Sequence, residues 1–550
     1  MKFNKKSIVL ILPVLIFISF IFTNIYGEKA RPSKLRFEIS FPSSAHAEAI
    51  TGRVFVMISE NDRREPRLQA GSWNRSVPFF GLDIENLKPG EVVVIDENIL
   101  GYPLKSLNEI PEEKYFVQGL VNIYTQFHRS DDHVIWAHMD QWEGQQFNRS
   151  PGNFYSEVKS VKLNPSSGYT IKLSLDKVIQ PVKVPEDTKW VKHIKIQSKR
   201  LTEFWGHPIY LGAIVLLPKG YDTHPDVFYP VHYRQGHFSL RPPSGFREKS
   251  AFYKIWTSDN FPRMITVTFQ HPCPYFDDSY AVNSENCGPY GDAIMTELIP
   301  RIEEHFRIIR KSYARVLSGG STGGWEALAL QVFHPDFFGG AWSFFPDPID
   351  FRYYQLTNIY KDKNAFSKKY GWLTIERPMM RDEHGQVLVT SRQLSQLEAV
   401  LGSKGRSGQQ LDIWQAAYGP VGKDGYPKPL WDKLTGEIDH EVAQYLKEHF
   451  DLRYYVEKNW SWLGPKLVGK LHMSCGDMDN FYLNEAVYEF EKFLESTKNP
   501  YYAGSFQYGR PRKGHGWTPY GRNTGKLERE MAVHITKNAP KGENTSSWKY

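Results

Sequence analysis

Residues 315–333 read RVLSGGSTGGWEALALQVF, and the glycine-rich turn at their centre decides how the second half of the chain folds. The apolar run Arg315 to Leu317 predicts a short buried strand, and the stretch from Trp325 to Phe333 predicts a helix. Two glycines precede Ser321 and two follow Thr322. Because side chains at those four positions would collide with the flanking strand and helix, the pattern predicts a strained elbow that exposes Ser321 as a nucleophile.

The same turn supplies a predicted oxyanion donor. The backbone N–H of Thr322 would lie at the positive end of the following helix, where it can donate to a developing negative charge. A second donor is expected from the loop after an early strand, and Gln235-Gly236-His237 ends the predicted strand Tyr229 to Arg234. We therefore predict the backbone N–H of His237 as that donor and assign its side chain a structural role.

A base and an acid follow in the order that this kind of elbow requires, with the acid before the histidine. Beyond the last predicted strand, Gly514-His515-Gly516-Trp517 places a histidine between glycines, so His515 is the predicted general base. Before it, the loop Cys475 to Tyr482 contains Asp477 and Asp479. Either acid could orient the histidine; the pattern favours Asp479, with Asp477 capping the loop or the next helix.

The surrounding sequence alternates strands with helices, which predicts a mostly parallel sheet within residues 190–540. After a hairpin-like stretch from His193 to Pro218, the predicted strands are Tyr229 to Arg234, Met264 to Phe269, Arg315 to Leu317, Gly340 to Phe345, Lys470 to Ser474 and Gly504 to Tyr508. The predicted helices are Asp292 to Phe306, Trp325 to Phe333, Leu483 to Ser496 and Lys526 to Thr536.

Residues 351–461 interrupt this alternation and are rich in Tyr, Trp and Lys. They follow a predicted sheet strand, so we expect an inserted cap over the catalytic end of the sheet, without a clear sheet strand of its own. Trp414 and Tyr418 in the cap, and Trp517 beside the histidine, are predicted to bind substrate through apolar contact with a polar tip. The alternative is a solvated surface excursion.

The first part of the chain has a different sequence pattern from the second part. Residues 33–180 contain short alternating apolar runs separated by Pro, Gly and Asn, which predicts an all-β, sandwich-like domain. Lys2, Lys5 and Lys6 precede an apolar run, so residues 1–27 are predicted to be a signal peptide of an exported protein, periplasmic or secreted. An uncleaved membrane anchor is the alternative.

Composition excludes several function classes. The 68 Lys and Arg nearly balance the 61 Asp and Glu and form no basic stripe, so nucleic acid is not an expected partner. The three cysteines lack zinc-site spacing, and we predict no metal and no cofactor. Export permits a disulfide between Cys273 and Cys287, with Cys475 a buried thiol; three unpaired buried thiols are the alternative.

These motifs resemble the putative esterase (esterase D-like) family of α/β hydrolases, which includes feruloyl and enterochelin esterases, S-formylglutathione hydrolases and mycolyltransferases. The resemblance spans roughly residues 192–537. Its motifs are Tyr229-Pro230-Val231, Gly288 to Asp292, Glu297 to Pro300, the elbow with its doubled glycine, Gly476 to Tyr482 and Gly514 to Trp517. It implies an α/β-hydrolase fold with Ser321 as nucleophile, Asp479 as acid and His515 as base. The family's usual His-Gly oxyanion turn is Gln235-Gly236-His237 here.

The resulting hypothesis is hydrolysis of a carboxylic ester through an acyl-Ser321 intermediate. The expected partner is a small-molecule or carbohydrate-linked ester. Three alternatives stay open: acyl transfer to an alcohol, peptide hydrolysis by the same triad, and a non-catalytic carbohydrate-binding protein. The oligomeric state is not predicted.

Overall fold

The computed structural model describes residues 34–166 and 169–550. The predicted signal peptide, residues 1–27, lies outside the described residues. Within the two described ranges, none of the helices combines the length and the apolar character needed to cross a bilayer.

Residues 34–180, here called the N-terminal unit, are built from short strands. The strands are β1 (Arg36–Ser40), β2 (Ile50–Ser59), β3 (Phe79–Leu87), β4 (Val93–Ile95), β5 (Gly101–Tyr102), β6 (Glu113–Ile123), β7 (Thr125–His128), β8 (Val134–Ala137), β9 (Phe154–Tyr155), β10 (Lys159–Leu163), β11 (Thr170–Ser174) and β12 (Lys177–Val178). The described part of this unit contains no α-helix, and two single 3₁₀ turns, Pro66–Leu68 and Leu107–Glu109, complete it.

Two sheets of the N-terminal unit enclose a core of their own. The order β11-β1-β4 forms the smaller sheet, and β12-β9-β6-β2-β3-β5, with β10 added beside β6, forms the larger. Strand β2 is buried on both faces, since Val54 and Val56 pack into the core between the two sheets while Phe55 and Met57 face the rest of the protein. The larger sheet is therefore a middle layer rather than an outer wall.

The second unit begins with a hairpin and continues as alternating strands and helices. Its first elements are β13 (Val191–Ser198), α1 (Lys199–Trp205), β14 (Ile209–Leu216), β15 (Val231–Gln235), α2 (Ala251–Trp256), β16 (Ile265–Gln270), β17 (Asn283–Ser284), β18 (Gly288–Pro289), α3 (Tyr290–Ala293), α4 (Ile299–His305), β19 (Arg315–Gly320), α5 (Thr322–Phe333) and β20 (Gly340–Phe344). A π-helical turn, Ile294–Leu298, joins α3 to α4, so this stretch forms the single helix predicted from Asp292 to Phe306.

Residues 351–461, here called the insertion, contain β21 (Ser367–Tyr370), β22 (Leu373–Glu376), β23 (Pro378–Arg381), β24 (Val387–Thr390), α6 (Ser391–Leu401), α7 (Gln410–Tyr418) and α8 (His440–His449), and α9 (Leu452–Leu467) crosses its end. The four strands were not predicted. They form two separate hairpins that do not join the main sheet, so their pairing is local.

The chain then returns to the main sheet with β25 (Leu471–Gly476), α10 (Leu483–Glu495), β26 (Ser505–Gly509) and α11 (Lys526–Asn538). Within the unbroken range 169–550, this sheet has eight strands in the order β13-β14-β16-β15-β19-β20-β25-β26. Counted from its own first strand, the order is 1-2-4-3-5-6-7-8. Strand β14 runs in the direction opposite to the other seven strands of this sheet. The sheet is therefore mixed and mostly parallel.

The three cysteines, Cys273, Cys287 and Cys475, are all buried free thiols. No disulfide joins Cys273 to Cys287 in this structure, which corresponds to the second of the two predicted alternatives.

Candidate active site

Ser321 occupies a strained turn between β19 and α5. Its φ of 59° and ψ of −124° lie outside the regions that a serine ordinarily adopts. The flanking glycines have no room for side chains: a Cβ at Gly319 would lie 2.0 Å from the carbonyl oxygen of Gly323, and one at Gly323 would lie 2.3 Å from that of Gln235. The strain is therefore maintained by close backbone packing on both sides of the serine.

His515 and Asp479 form a hydrogen-bonded pair beside this turn. The Nδ1 of His515 lies 2.8 Å from Oδ2 of Asp479, whose side chain is fully buried. The other carboxylate oxygen accepts the backbone N–H groups of Phe481 and Leu483, at 2.9 and 3.3 Å. Three donors thus fix the carboxylate, which in turn holds the imidazole through Nδ1 and leaves Nε2 for another partner.

Asp477 contacts the same histidine loop in another way. Its carboxylate accepts the backbone N–H groups of Arg512 and Lys513, at 3.2 and 2.8 Å. It therefore fastens the loop that precedes His515, whereas Asp479 contacts the imidazole itself.

Two aromatic rings hold the imidazole of His515 edge-on. The ring of Phe345 lies 4.6 Å from it at 67°, and the ring of Phe481 lies 4.8 Å away at 85°. The backbone N–H of His515 also donates to Oδ1 of Asn480, at 2.7 Å. Ring orientation and loop position are thus both constrained.

Ser321 and His515 line one cavity of about 230 Å³. In this structure the Ser321 hydroxyl donates to Oδ1 of Asp347, at 3.3 Å. The hydroxyl hydrogen must therefore turn from this carboxylate to the imidazole before His515 can accept it.

Asp347 is a second buried acid, which contacts Ser321 and was not predicted from the sequence. Besides Ser321, four donors surround its carboxylate: Tyr280 Oη at 2.5 Å, Thr322 Oγ1 at 2.9 Å, Gln410 Nε2 at 3.1 Å and Trp414 Nε1 at 3.4 Å. Burial raises the pKa of the Asp347 carboxyl above its ordinary value. Its position just beyond the carboxyl end of β20 was the signal in the sequence, because ligand sites gather at that edge of a parallel sheet.

The predicted oxyanion donors lie on either side of the elbow. Thr322 is the first residue of α5, so its N–H is among those left free at a helix start. Gly236 has a φ of +147°, and a Cβ there would meet no atom within 4 Å. His237, which follows it, lines the cavity with Ser321. Both predicted donors therefore belong to segments that border the nucleophile.

The His237 side chain lies between two carboxylates. Its Nδ1 is 3.0 Å from Oδ1 of Asp277 and 3.3 Å from Oδ2 of Asp278. Burial by itself would lower the pKa of His237, but the charges of Asp277 and Asp278 outweigh it and raise this pKa well above its ordinary value. Among the described residues, these three form the group whose ligand atoms lie close enough, within 4.8 Å, to hold a metal ion. An imidazolium between two carboxylates offsets part of their negative charge, and the structural role of the His237 side chain stays a prediction.

Of the three predicted substrate-binding side chains, one lines the cavity. Trp414 does so, although it is 1% exposed and its indole N–H donates to Tyr280 Oη at 2.6 Å. Tyr418 is equally buried, but it packs against Trp325 in the core and lies outside the cavity wall. Trp517 covers Gly509 at the end of β26 and is also absent from the wall. Helix α7 presents its start, not its end, to Ser321, so Tyr418 lies one helical turn beyond Trp414, and its role in substrate binding stays a prediction.

The rest of the cavity wall comes from distant parts of the chain. The residues that line it are Trp73, His237, Ser321, Asp347, Gln355, Gln410, Trp414, Phe481, Leu483 and His515. Trp73 belongs to the N-terminal unit, and Gln355 and Gln410 belong to the insertion. A larger groove of about 450 Å³ is lined by residues such as Arg352 and Tyr370 and includes none of Ser321, Asp479 and His515.

Comparisons with known proteins agree with the predicted resemblance. The family model described as putative esterase matches residues 210–399. No curated protein matches the chain.

Several solved structures are similar at low identity. A ferulic acid esterase is 16% identical, with 63% of this chain and 98% of that protein covered and a TM-score of 0.36. An S-formylglutathione hydrolase from Agrobacterium tumefaciens is 13% identical, with 65% and 99% covered and a TM-score of 0.35. The fluorophosphonate-binding serine hydrolase F of Staphylococcus aureus is 14% identical, with 63% and 98% covered and a TM-score of 0.32.

Proposed function

We propose that this chain, whose residues 210–399 match the putative esterase family, is an exported serine carboxylic ester hydrolase with the α/β-hydrolase fold. One observation carries the proposal: Ser321, at the tip of a strained elbow, shares a cavity with His515, and the imidazole Nδ1 of His515 lies 2.8 Å from the buried Asp479. The strand order 1-2-4-3-5-6-7-8, with the second strand antiparallel, supports this fold.

The first half of the reaction would acylate Ser321. The Nε2 atom of His515 takes the hydroxyl proton while Oγ bonds to the ester carbonyl carbon, and the carbonyl electron pair moves onto oxygen. The N–H groups of Thr322 and His237 would donate to this oxyanion. When the intermediate collapses, the C–O bond to the alcohol breaks, and the departing oxygen takes the proton from His515. The acyl group remains on Ser321.

The second half would release the acid. A water molecule gives a proton to Nε2 of His515 and its oxygen bonds to the acyl carbon. The new tetrahedral intermediate expels Oγ of Ser321, which recovers the proton. Asp479 keeps the imidazole in one tautomer and stabilises its cationic form throughout. His515 accepts and returns each proton, and the two backbone N–H groups stabilise the oxyanion by hydrogen bonds, so we propose that no cofactor takes part.

The proposed location rests on the sequence alone. Three lysines followed by an apolar run in residues 1–27 are typical of a signal for export. Periplasmic or secreted localisation is the corresponding proposal, and the expected substrate is a small-molecule or carbohydrate-linked ester.

The test is a panel of aryl, acetyl-sugar, hydroxycinnamoyl and long-chain esters. We expect turnover of at least one class by the wild type, and a fall in kcat of at least about 10³-fold in Ser321→Ala and His515→Ala without loss of the folded state. The matched control is Ser496→Ala, an exposed serine just beyond the opposite end of α10 from the Asp479 loop.

A mass measurement gives a second, independent readout. A slowly hydrolysed ester should add one acyl mass to the wild type and to Ser496→Ala, and none to Ser321→Ala. Acylation of Ser321→Ala, or wild-type rates in either triad variant, would contradict the proposed nucleophile and base. Acyl transfer to an added alcohol in preference to water would replace hydrolysis with the transferase alternative.

A further inference from the structure

The N-terminal unit is docked firmly against the insertion. Arg53 on β2 is 6% exposed, and its guanidinium donates to the carbonyl oxygens of Val400 at 2.8 Å and Ala399 at 3.2 Å. These carbonyls belong to the last turn of α6, where backbone acceptors lack partners within the helix and a cation is favourable. The same guanidinium pairs with Asp83 at 2.6 Å, and Asp83 also pairs with Arg406 of the insertion at 3.1 Å.

This docking brings a tryptophan from the N-terminal unit to the nucleophile. Trp73 lies between β2 and β3, where Tyr102 Oη donates to its carbonyl oxygen at 2.7 Å. Its indole N–H donates to Oε1 of Gln409 at 3.3 Å, just before α7 begins. Its ring lies 5.3 Å from that of Phe481, which in turn packs against His515. Trp73 thus forms an aromatic side of the cavity that contains Ser321.

A polar group on the cavity wall lacks a partner. Gln355 is 3% exposed, and its Oε1 accepts no hydrogen bond. Its backbone has a φ of +55°, in the left-handed region that is strained for a glutamine. A buried amide oxygen without a donor is unfavourable. A bound ligand with an O–H group would supply the missing donor to this oxygen.

The lining defines the chemistry of that ligand. It combines the aromatic surfaces of Trp73 and Phe481 with amides from Gln355 and Gln410, and no Lys or Arg is found among the described residues that line the cavity. An aromatic face suits the apolar face of a ring, and amides suit hydroxyl groups, whereas an anion would have no cationic side chain other than the ion-paired His237. At about 230 Å³ the space is smaller than the usual cavity for a drug-sized ligand, so it fits one ring.

We propose that Trp73 and Gln355 form a subsite for a neutral, hydroxyl-bearing ring of the ester, with the aromatic platform supplied by the N-terminal unit. The proposal rests on the proposed ester hydrolysis for its role in turnover. The ring belongs either to a sugar in the alcohol part or to a phenol in the acyl part; both present a flat apolar face and hydroxyl groups. The N-terminal unit would therefore select the substrate rather than act as a separate module.

The test compares esters with and without such a ring. Wild type, Trp73→Ala, Trp73→Phe and the control Trp372→Ala, a fully exposed tryptophan of the insertion, are assayed with ethyl acetate, an acetylated methyl glucoside and methyl 4-hydroxycinnamate. Trp73→Ala should lower kcat/KM at least about tenfold, mainly through KM, for whichever ring-bearing ester the wild type prefers. The loss of kcat/KM for ethyl acetate in Trp73→Ala should be at least threefold smaller than the loss for the ring-bearing ester, Trp73→Phe should restore most of the loss, and Trp372→Ala should match the wild type.

Binding is measured separately in the Ser321→Ala chain, so that a failure of the hydrolase proposal can be recognised by itself. Calorimetric titration with methyl glucoside and with 4-hydroxycinnamyl alcohol should detect one of the two rings, and both Trp73→Ala and Gln355→Asn should weaken it. Binding of methyl glucoside would assign the ring to the alcohol part of the ester, and binding of 4-hydroxycinnamyl alcohol would assign it to the acyl part. Equal losses on ethyl acetate and the ring-bearing esters, or binding of neither ring to Ser321→Ala, would overturn the proposed subsite, even if the wild type hydrolyses ethyl acetate.

Discussion

The pair Asp479→Asn and Asp477→Asn tests the assignment of the catalytic acid with two nearly identical changes. Both residues lie in one loop two positions apart, and each substitution preserves side-chain shape while removing the charge. Only Asp479 contacts the imidazole of His515; Asp477 accepts backbone N–H groups of the loop before it. The two variants should therefore differ in catalysis far more than in folding.

The expected size of the effect follows from the geometry. Two unit charges 2.8 Å apart attract by about 6 kcal/mol at an effective dielectric constant of about 20. Losing most of this attraction from the transition state, where His515 is cationic, corresponds to a fall in kcat of about 10³- to 10⁴-fold. An asparagine amide facing Nδ1 would also favour the wrong tautomer. Asp477→Asn keeps one acceptor oxygen and should cost about 1 kcal/mol of stability, with kcat within about threefold of the wild type.

The assay is kcat for the best ester of the panel, together with thermal unfolding of each variant. We expect both variants to fold, with the activity loss confined to Asp479→Asn. A larger loss in Asp477→Asn, or equal losses in the two, would show that the hydrogen bond between His515 and Asp479 does not organise the reaction.

Three further predictions concern packing and pH. Gly323→Val should abolish soluble, active protein, because its Cβ would lie 2.3 Å from a backbone oxygen of the neighbouring strand. The control Gly152→Ala, at a φ of +86° with open space around it, should lower the free energy of unfolding by only about 1–2 kcal/mol. A stable, active Gly323→Val protein would refute the elbow. Burial lowers the pKa of His232 from 6.5 to about 3. Between these pH values the His232 imidazole is protonated in the unfolded chain and neutral in the folded protein. The free energy of unfolding therefore falls by about 1.4 kcal/mol per pH unit as the pH drops from 6.5 towards 3. The measurement is the free energy of unfolding by urea at pH 7, 6, 5 and 4. Its decrease with falling pH should be smaller in His232→Gln than in the wild type and unchanged in His384→Gln, an exposed control. Equal slopes in all three proteins would show that His232 does not link stability to pH. Tyr418→Phe removes a buried hydroxyl without a partner, so KM for a bulky ester should stay within about twofold; a tenfold rise would return Tyr418 to the substrate site.

Local patterns in the sequence were enough to predict the main sheet and the order of the candidate triad. Most of the sheet strands were apolar runs next to a turn, and the predicted helix after Ser321 differs from the observed α5 mainly at its first turn. The glycines around Ser321 meet a steric requirement set by the elbow and by the neighbouring strands packed against it, and because this requirement recurs wherever a strand turns sharply into a helix, a short motif could carry the prediction. The same is true of the loops that contain Asp479 and His515, because in this topology such loops follow neighbouring strands.

The tertiary structure alone decided what surrounds Ser321. Trp73, Gln355 and Gln410 come from the N-terminal unit and the insertion, and nothing in their local sequence links them to Ser321. Asp347 could have been suspected from its place after β20, but three of the donors around its carboxylate come from two other segments, Tyr280 and helix α7. The position of Tyr418 outside the cavity wall could not be predicted, because an aromatic residue on a helix gives the same sequence pattern whether it faces a cavity or a core. Chain periodicity specifies which face of an element is buried, whereas the partner buried against it is fixed only when distant segments pack together.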